Sequence, residues 1–382
     1  MNARAHKRIR QIHLGLSLVL GVLLVLIAVS GSLLVFRDEI QRRMPAINQW
    51  DGQADIGFQR AQQLAREARP DYRLQILWFP TEARPYYQAG YFKEGEGYTG
   101  YRYWDPATGE PVEPPGQNLF DWLTTFHTSL YLGSFGVELV RWSTLLFTLL
   151  LATGLLLWWP GRDVRRWFRI RKNGRAFTRD LHSVVGALAL PVLLVMTVTG
   201  VVLGFPASAS RAVYWITGSE KETRADGRQP YEVPSQVPAM PQERAASESL
   251  LAKARAIAPE DAFFFYITYP VAPDENRQVR MQRGYEPYPF GLVYRYYFDQ
   301  YSGELLAQEL PDATPADRFL NHWNSRLHFG TFAGWPGLLL WFFVPLAVPL
   351  LAWTGVCLWL RRRKRRQRQR AGRCPGRAPR RP

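Results

Sequence analysis

The sequence predicts an α-helical membrane protein with four transmembrane helices, arranged as two pseudo-repeats that each carry an external α+β domain. Three observations predict this fold: four long uncharged apolar runs, basic residues concentrated in three segments, and internal similarity between the two halves of the 382-residue chain. The mean hydropathy is −0.21 although 47% of the residues are hydrophobic, so the apolar residues must be concentrated in blocks.

The four apolar runs are long enough to cross a bilayer. They cover residues 14–36, 142–161, 183–210 and 329–360, and none contains a charged side chain. A hydrocarbon core about 30 Å thick needs roughly 20 helical residues. The predicted transmembrane helices are 14–36, 136–160, 181–206 and 334–360. The first run also exceeds the roughly 7–15-residue apolar region of a cleaved signal peptide.

The basic residues predict the orientation. Residues 1–13, 160–180 and 361–382 hold 24 of the 48 Lys and Arg but 2 of the 32 Asp and Glu, a balance of +22 in a chain of net charge +16. Lys and Arg are enriched in cytoplasmic segments. The cytoplasmic segments are then 1–13, 161–180 and 361–382, and the external segments are 37–135 and 207–328. The basic tail favours contact with anionic lipid headgroups over nucleic acid, because it directly follows a membrane span.

The two halves of the chain share short patterns at matched positions. The first and third helices share Arg-x-x-His with a glycine 18 residues after the histidine: Arg10, His13 and Gly31 match Arg179, His182 and Gly200. The regions of the second and fourth helices share a histidine and a later Thr-Gly: His127 and Gly154 match His328 and Gly355. In the external segments, YWDPATGE at 103–110 is similar to YFDQYSGE at 297–304. These matches predict a duplicated unit of helix, external domain and helix.

The four matched histidines predict two b-type haem sites. His13 and His182 would lie at the inner ends of their helices, and His127 and His328 at the outer ends. Two imidazoles on facing helices are what a six-coordinate haem requires. Zinc fits less well, because structural zinc takes four protein ligands and catalytic zinc three; proton transfer remains an alternative use. No Cys-x-x-Cys-His occurs, so the usual covalent c-type attachment is excluded.

Further residues are assigned by their position relative to these histidines. Gly31, Gly200, Gly154 and Gly355 would each admit the haem bound by the other helix pair, or would serve as small-residue contacts between helices. Arg10 and Arg179 would pair with propionates of the inner haem, or would only set the orientation. His322 is an alternative outer ligand. A group of external aromatic residues forms a candidate substrate platform: Trp78, Tyr86, Tyr87, Tyr101, Tyr103, Tyr285, Tyr288 and Tyr294.

These motifs resemble the PepSY-associated transmembrane proteins, iron-regulated inner-membrane proteins of Gram-negative bacteria, over nearly the whole chain. The resemblance rests on the Arg-x-x-His helix starts, the Ser-Gly and Thr-Gly helix ends, LHFGTFAG at 327–334, and the paired YWDPATGE and YFDQYSGE segments. The four-histidine layout is similar to that of the di-haem ferric-siderophore (ferrioxamine) reductases. The resemblance implies PepSY-like external domains, the bacterial inner membrane, and transfer of electrons to a ferric siderophore with release of Fe(II).

The electron donor must come from outside the chain, because no flavin or nicotinamide motif such as GxGxxG is present. A quinol, a soluble reductase or a partner subunit would serve. Two alternatives to siderophore reduction stay open. One is a general quinol-linked di-haem carrier for another acceptor. The other is a haem-free regulatory membrane protein, since PepSY-type domains are also associated with peptidase inhibition.

Overall fold

The computed structural model describes residues 2–43, 55–81, 85–94, 97–113, 117–158, 170–171, 174–220, 232–240, 242–283, 292–311 and 313–371. The chain divides into a helical unit, made of residues 1–35, 122–205 and 327–382, and a sheet unit, made of residues 36–121 and 206–326.

Four helices in the described part of the chain are long and apolar enough to cross a membrane. They are Ala3–Ile40, Gly133–Trp158, Ala176–Gly204 and Thr331–Gln369. The protein is therefore a multi-pass membrane protein, and its apolar helix surfaces contact the lipid bilayer. The helices also extend beyond the predicted apolar runs, because polar residues at their ends continue the same hydrogen-bonded helix.

The helical unit contains the long helices α1 (Ala3–Leu34), α5 (Gly133–Trp158), α6 (Gly174–Gly204), α11 (Gly334–Phe343) and α12 (Ala347–Ala371). The last span is interrupted between α11 and α12 at Pro345, where proline cannot donate a helical hydrogen bond. Helix α1 packs against α5 and α12, and α6 packs against the same two helices. Thus α1 and α6 are diagonal to each other. A cluster of Leu, Ala and Val side chains from all four helices fills the middle of this bundle.

Short helices precede both the second and the fourth spans. Helix α4 (Gln117–Ser129) precedes α5, and α10 (Asn324–Phe329) with a 3₁₀ turn (Thr331–Ala333) precedes α11. The turn after α4 reverses through Leu130 and Tyr131, which have φ of 52° and 60°. The backbone then passes so close to the next helix that a Cβ at Gly136 would lie 1.8 Å from the Ser129 carbonyl oxygen.

We predict that Gly136→Ala strongly destabilises the helical unit. The added Cβ would meet a backbone oxygen, which cannot rotate away, so the cost should reach or exceed the roughly 1–3 kcal/mol of ordinary overpacking. Thermal unfolding of the purified protein in detergent measures the effect. Gly15→Ala is the matched control, because a Cβ there meets nothing within 4 Å. Equal melting temperatures for the two variants would contradict the close approach.

The sheet unit contains one seven-stranded antiparallel sheet of order β3-β2-β1-β4-β5-β6-β7. The strands are β1 (Arg73–Trp78), β2 (Tyr87–Lys93), β3 (Gly97–Trp104), β4 (Ala262–Thr268), β5 (Arg277–Arg283), β6 (Leu292–Phe298) and β7 (Leu305–Glu309). The remaining helices of this unit are α2 (Arg37–Arg43), α3 (Gly57–Glu67), α7 (Pro206–Thr217), α8 (Ser247–Ile257) and α9 (Pro315–Arg318), followed by a π-helix (Phe319–Trp323).

Both of the segments predicted to be external contribute to this single sheet, which differs from the predicted separate domain in each half. Strand β1 of the first segment pairs with β4 of the second, with Leu77 opposite Ile267. An unpaired β1 or β4 would expose a row of backbone N–H and C=O groups, and their pairing satisfies them. Helices α3 and α8 cover one face of the sheet, where Ala61, Leu250 and Ile267 are fully buried.

The two similar sequence segments form turns with the same hydrogen bonds. The Asp105 carboxylate accepts hydrogen bonds from the backbone N–H groups of Ala107 and Thr108, at 2.7 and 3.1 Å. The Asp299 carboxylate likewise accepts from the residues two and three positions later, both at 2.8 Å. The glycine four residues after each aspartate has a positive φ, 74° at Gly109 and 67° at Gly303, which favours glycine.

Candidate functional site

Each of the four matched histidines has its Nδ1 atom beside a hydroxyl group of a neighbouring long helix. The Nδ1-to-hydroxyl distances are 3.0 Å from His13 to Thr153, 3.1 Å from His127 to Ser30, 2.8 Å from His182 to Thr354 and 3.2 Å from His328 to Thr199. These hydroxyl groups themselves donate to backbone carbonyl oxygens of their own helices. Each hydroxyl oxygen is therefore placed to accept a hydrogen bond from the imidazole Nδ1–H.

Backbone carbonyl groups reinforce this arrangement at all four histidines, and the Leu351 carbonyl does so at His182. The Nδ1 atom of His13 lies 3.2 Å from the Leu150 oxygen, and that of His127 lies 3.0 Å from the Ile27 oxygen. The Nδ1 atom of His328 lies 3.1 Å from the Met196 oxygen. Because only acceptors surround Nδ1, the proton belongs on that nitrogen and Nε2 keeps its lone pair. This is the tautomer and orientation that a metal-binding histidine needs.

A glycine lies against each of these imidazole rings. A Cβ added at Gly31 would lie 2.8 Å from Cε1 of His127, and one at Gly200 would lie 3.1 Å from Cε1 of His328. At Gly154 the corresponding distance to His13 is 3.3 Å, and at Gly355 the distance to His182 is 3.7 Å. The structure thus places each glycine at a histidine of a neighbouring helix, immediately after the serine or threonine that contacts the same ring.

The histidines form two groups at opposite ends of the bundle. His13 on α1 and His182 on α6 line one cavity of about 1010 Å³, the inner cavity, together with Gly154 and Gly355. This volume is at the upper end of the roughly 300–1,000 Å³ of typical ligand pockets. Because α1 and α6 are diagonal, the two imidazoles approach the cavity from opposite sides. Ser30, which contacts His127, lies 17 residues after His13 on α1, or about 25 Å along the helix axis. This distance separates the two groups of histidines.

The second group is His127 and His328. Burial, and then electrostatic repulsion between the two rings when both are protonated, lowers the pKa of His328 to about 4, and burial also lowers the pKa of His127. The electrostatic effect of one ring on the other requires that the two are close. Both are therefore neutral at neutral pH, the form in which imidazole binds a metal.

The remaining predicted residues have different surroundings. Arg10 and Arg179 line the inner cavity, and Arg179 Nε also lies 3.5 Å from Asp180 Oδ1. His322 lies on the π-helix, with Nε2 3.3 Å from Arg326 Nη1 and its ring edge-on to Trp323. The histidine that contacts Thr199 and Met196 of α6 is therefore His328, and His322 has different neighbours.

The aromatic residues of the sheet unit divide into two sets. Tyr87 and Tyr294 belong to the hydrophobic core beneath α3 and α8. Trp78 and Tyr101 lie against each other with ring centroids 5.6 Å apart and line a cleft of about 640 Å³. Tyr86 and Tyr103 form a similar edge-to-face pair, with centroids 5.3 Å apart. Tyr285 and Tyr288 lie outside the described residues.

The sequence interpretation missed the role of the four hydroxyl groups. Ser30, Thr153, Thr199 and Thr354 each precede one of the four matched glycines, and this pairing was the available signal. The sequence pattern indicates glycines that admit a haem or small-residue contacts between helices, and neither interpretation gives the hydroxyl groups a role. Their function as Nδ1 acceptors depends on how the helices are rotated about their axes, which the sequence pattern does not determine.

The fold and the histidine geometry define a class of protein: a multi-pass helical membrane protein with an antiparallel sheet domain and paired histidines in its bundle. The chain belongs to the family described as the PepSY-associated TM region, whose sequence profile matches residues 10–362. A comparison with curated proteins finds no match.

The residues present fit a bis-histidine haem. Each pair offers two imidazole Nε2 atoms, and the inner pair does so from opposite sides of one cavity. The described residues contain no group of three or more His, Cys, Asp or Glu side chains of the kind that holds a metal ion alone. Two imidazoles are enough for haem, whose porphyrin supplies the other four ligands.

We predict that Thr354→Val weakens haem binding at the inner site by about 10–100-fold, the usual effect of removing the hydrogen-bond acceptor of a ligating histidine. Valine has nearly the same shape, so the change removes the hydroxyl acceptor 2.8 Å from His182 Nδ1 without opening a cavity, and only the Leu351 carbonyl remains. Haem titration of the purified apoprotein measures the affinity. Thr148→Val is the control, since that hydroxyl bonds to the Thr144 carbonyl within α5. Equal affinities for both variants would show that Thr354 does not orient the ligand.

Proposed function

We propose that the protein is an inner-membrane electron-transfer protein that binds two b-type haems and reduces a ferric siderophore on the external side of the membrane. The observation that carries the proposal is the arrangement of four histidines as two pairs at opposite ends of one bundle. Each has its Nδ1 atom fixed by a helix hydroxyl, which leaves Nε2 for iron. Haem bound between each pair would supply a one-electron Fe(III)/Fe(II) couple.

The chain's own residues would bind, orient and insulate the two sites. His13 and His182 would hold the inner haem, with Arg10 and Arg179 placed to pair with its propionates. His127 and His328 would hold the outer haem. The apolar cluster of Leu20, Leu150, Leu193 and their neighbours lies between the two ends and excludes water. A dry bundle keeps the electron path separate from proton exchange with solvent.

The substrate chemistry requires no general acid, base or nucleophile. An external donor is oxidised by one electron, and the iron of the ferric chelate is reduced from Fe(III) to Fe(II). Hard oxygen ligands hold Fe(II) less tightly than Fe(III), so the reduction loosens the chelate and releases the metal. The basic segments support an orientation with both termini in the cytoplasm and the sheet-forming segments outside.

We also infer that the chain consists of two pseudo-repeats. The two aspartate-capped turns have matching hydrogen bonds, at Asp105 and Asp299. The four histidines likewise have matching contacts with a serine or threonine that precedes a glycine. Similar local chemistry at positions that already match in sequence supports duplication of one helix–domain–helix unit.

An absorption spectrum of the purified protein tests the proposal. We expect b-type α and β bands on reduction with dithionite. After the excess dithionite is removed, the bands should be lost when ferric ferrioxamine is added without oxygen, with Fe(II) trapped by a colorimetric chelator. If no haem bands appear, the redox function is excluded and a haem-free regulatory role is favoured. If haem bands appear but the ferric chelate does not reoxidise them, the protein carries electrons to a different acceptor.

A further inference from the structure

The opening of the inner cavity is surrounded by positive charge. Three arginines, Arg10, Arg179 and Arg362, line the cavity together with the histidine pair. Among the lining residues only Asp180 is acidic, and Arg171 binds it through two nitrogens at 2.7 and 2.8 Å. The negative charge of Asp180 is therefore already compensated. A molecule that approaches this opening meets a strongly positive potential.

Two helices continue beyond the apolar spans at this end and carry further exposed cations. Helix α1 begins ten residues before His13, and α12 continues from Arg361 to Ala371, about 16 Å beyond the last apolar residue. We call six exposed side chains on these extensions the basic collar: Arg4, Lys7, Arg8, Lys364, Arg365 and Arg368. Neither extension contains an acidic residue.

The collar is held in place beside the cavity. Helices α1 and α12 pack against each other, and residues of both line the inner cavity. Arg361, at the point where α12 leaves its apolar span, donates hydrogen bonds to the Gly174 carbonyl oxygen and the Thr178 hydroxyl on α6, at 3.4 and 3.0 Å. The direction of the α12 extension is thus fixed relative to the histidine-bearing helix α6.

We propose that the basic collar docks an acidic, soluble one-electron carrier protein, which is the electron donor to the inner site. The inference rests on the proposed function and specifies its donor. In the transfer, the carrier would lose one electron, and the haem iron that His13 and His182 would hold would gain it, so the electrons balance. Exposed cations do not attract a neutral quinol. They do attract an acidic protein surface, which orients the bound protein and increases its association rate. Contact with an anionic lipid surface is the competing use of the same cations.

Binding of an acidic probe to the apoprotein tests the docking site without haem. The probe is a fluorescently labelled flavodoxin of net negative charge, and the protein is held in nanodiscs of uncharged phosphatidylcholine, which expose both membrane faces. We expect binding that weakens about tenfold or more between low and high salt, as screening of a charged interface requires. Basic cytochrome c, labelled in the same way, should not bind at this surface.

Two variants and a control locate the site. One variant replaces Arg4, Lys7 and Arg8 by Gln, and the other replaces Lys364, Arg365 and Arg368 by Gln. Each should weaken flavodoxin binding several-fold and leave the melting temperature unchanged. Replacing Arg60, Arg66 and Arg211 by Gln removes the same charge from exposed positions of the sheet unit and should have no effect.

Three outcomes would overturn the proposal. In the first, flavodoxin binding does not depend on salt. In the second, the collar and control variants lose binding equally. In the third, flavodoxin does not bind, and the protein attaches to phosphatidylglycerol vesicles in a way that depends on the collar. The last result would assign the collar to anionic lipid. Because binding is measured without haem, failure of docking is distinguishable from failure of the haem proposal, which the absorption spectrum decides separately.

Discussion

His127→Ala and His328→Ala are each expected to reduce the haem content of the purified protein from two to one. The two histidines are close to each other, and both are remote from His13 and His182 at the other end of the bundle. Loss of one axial ligand at the outer site should release that haem, while the inner site keeps both imidazoles. Pyridine haemochrome analysis gives the stoichiometry, and the spectrum of the remaining haem should stay bis-histidine.

His322→Ala is the matched control for the outer pair. His322 contacts Arg326 and Trp323 and is a histidine of the same region, so its replacement should leave two haems. Gel filtration and circular dichroism show whether each variant is folded. Loss of both haems in a folded His127→Ala protein, or retention of both, would rule out the assigned pairing.

Gly31→Ala is expected to disrupt the outer site although alanine is the better helix former. The added Cβ would lie 2.8 Å from Cε1 of His127, which is closer than real Cβ contacts, so the imidazole must move. Overpacking of this kind costs roughly 1–3 kcal/mol, which corresponds to about 5–150-fold weaker haem binding at that site. The higher helix propensity of alanine stabilises α1 by about 1 kcal/mol, which partly offsets this cost in the folded protein. The net loss of folding stability should therefore be about 0–2 kcal/mol, smaller than the loss of haem-binding free energy.

Gly355→Ala provides the comparison at the inner site. A Cβ there would lie 3.7 Å from Cε1 of His182, an ordinary van der Waals contact, so haem affinity should be unchanged within about twofold. Haem titration of both apoproteins gives the two affinities side by side. If Gly355→Ala is as damaging as Gly31→Ala, the glycines act in helix packing and not at the histidine rings.

The spans and histidine positions could be predicted from the sequence because they depend on local composition and spacing. Uncharged runs of at least 20 residues identify membrane helices without knowledge of their neighbours. The 18-residue spacing from His13 to Gly31 is five helical turns, so it places both on one face of α1. These are properties of single helices.

Features that depend on contacts between distant segments could not be predicted in this way. The Nδ1 acceptors come from helices up to 172 residues away in sequence, as for His182 and Thr354. The pairing of β1 with β4 joins segments from the two halves of the chain, and a strand pattern alone does not indicate which neighbouring strand it will pair with. The aromatic residues were grouped by composition, but the core face of the sheet includes Tyr87 and Tyr294.

The junction of β1 and β4 has a consequence for separated halves of the chain. A fragment that ends before α6 contains β1, β2 and β3 but not β4, so one edge of its three-stranded sheet is open. An antiparallel edge can pair with the same edge of a second molecule about a twofold axis, because such contacts are self-complementary. A half-length fragment should therefore form a symmetric homodimer through β1, and co-expression of the other half should compete with that dimer.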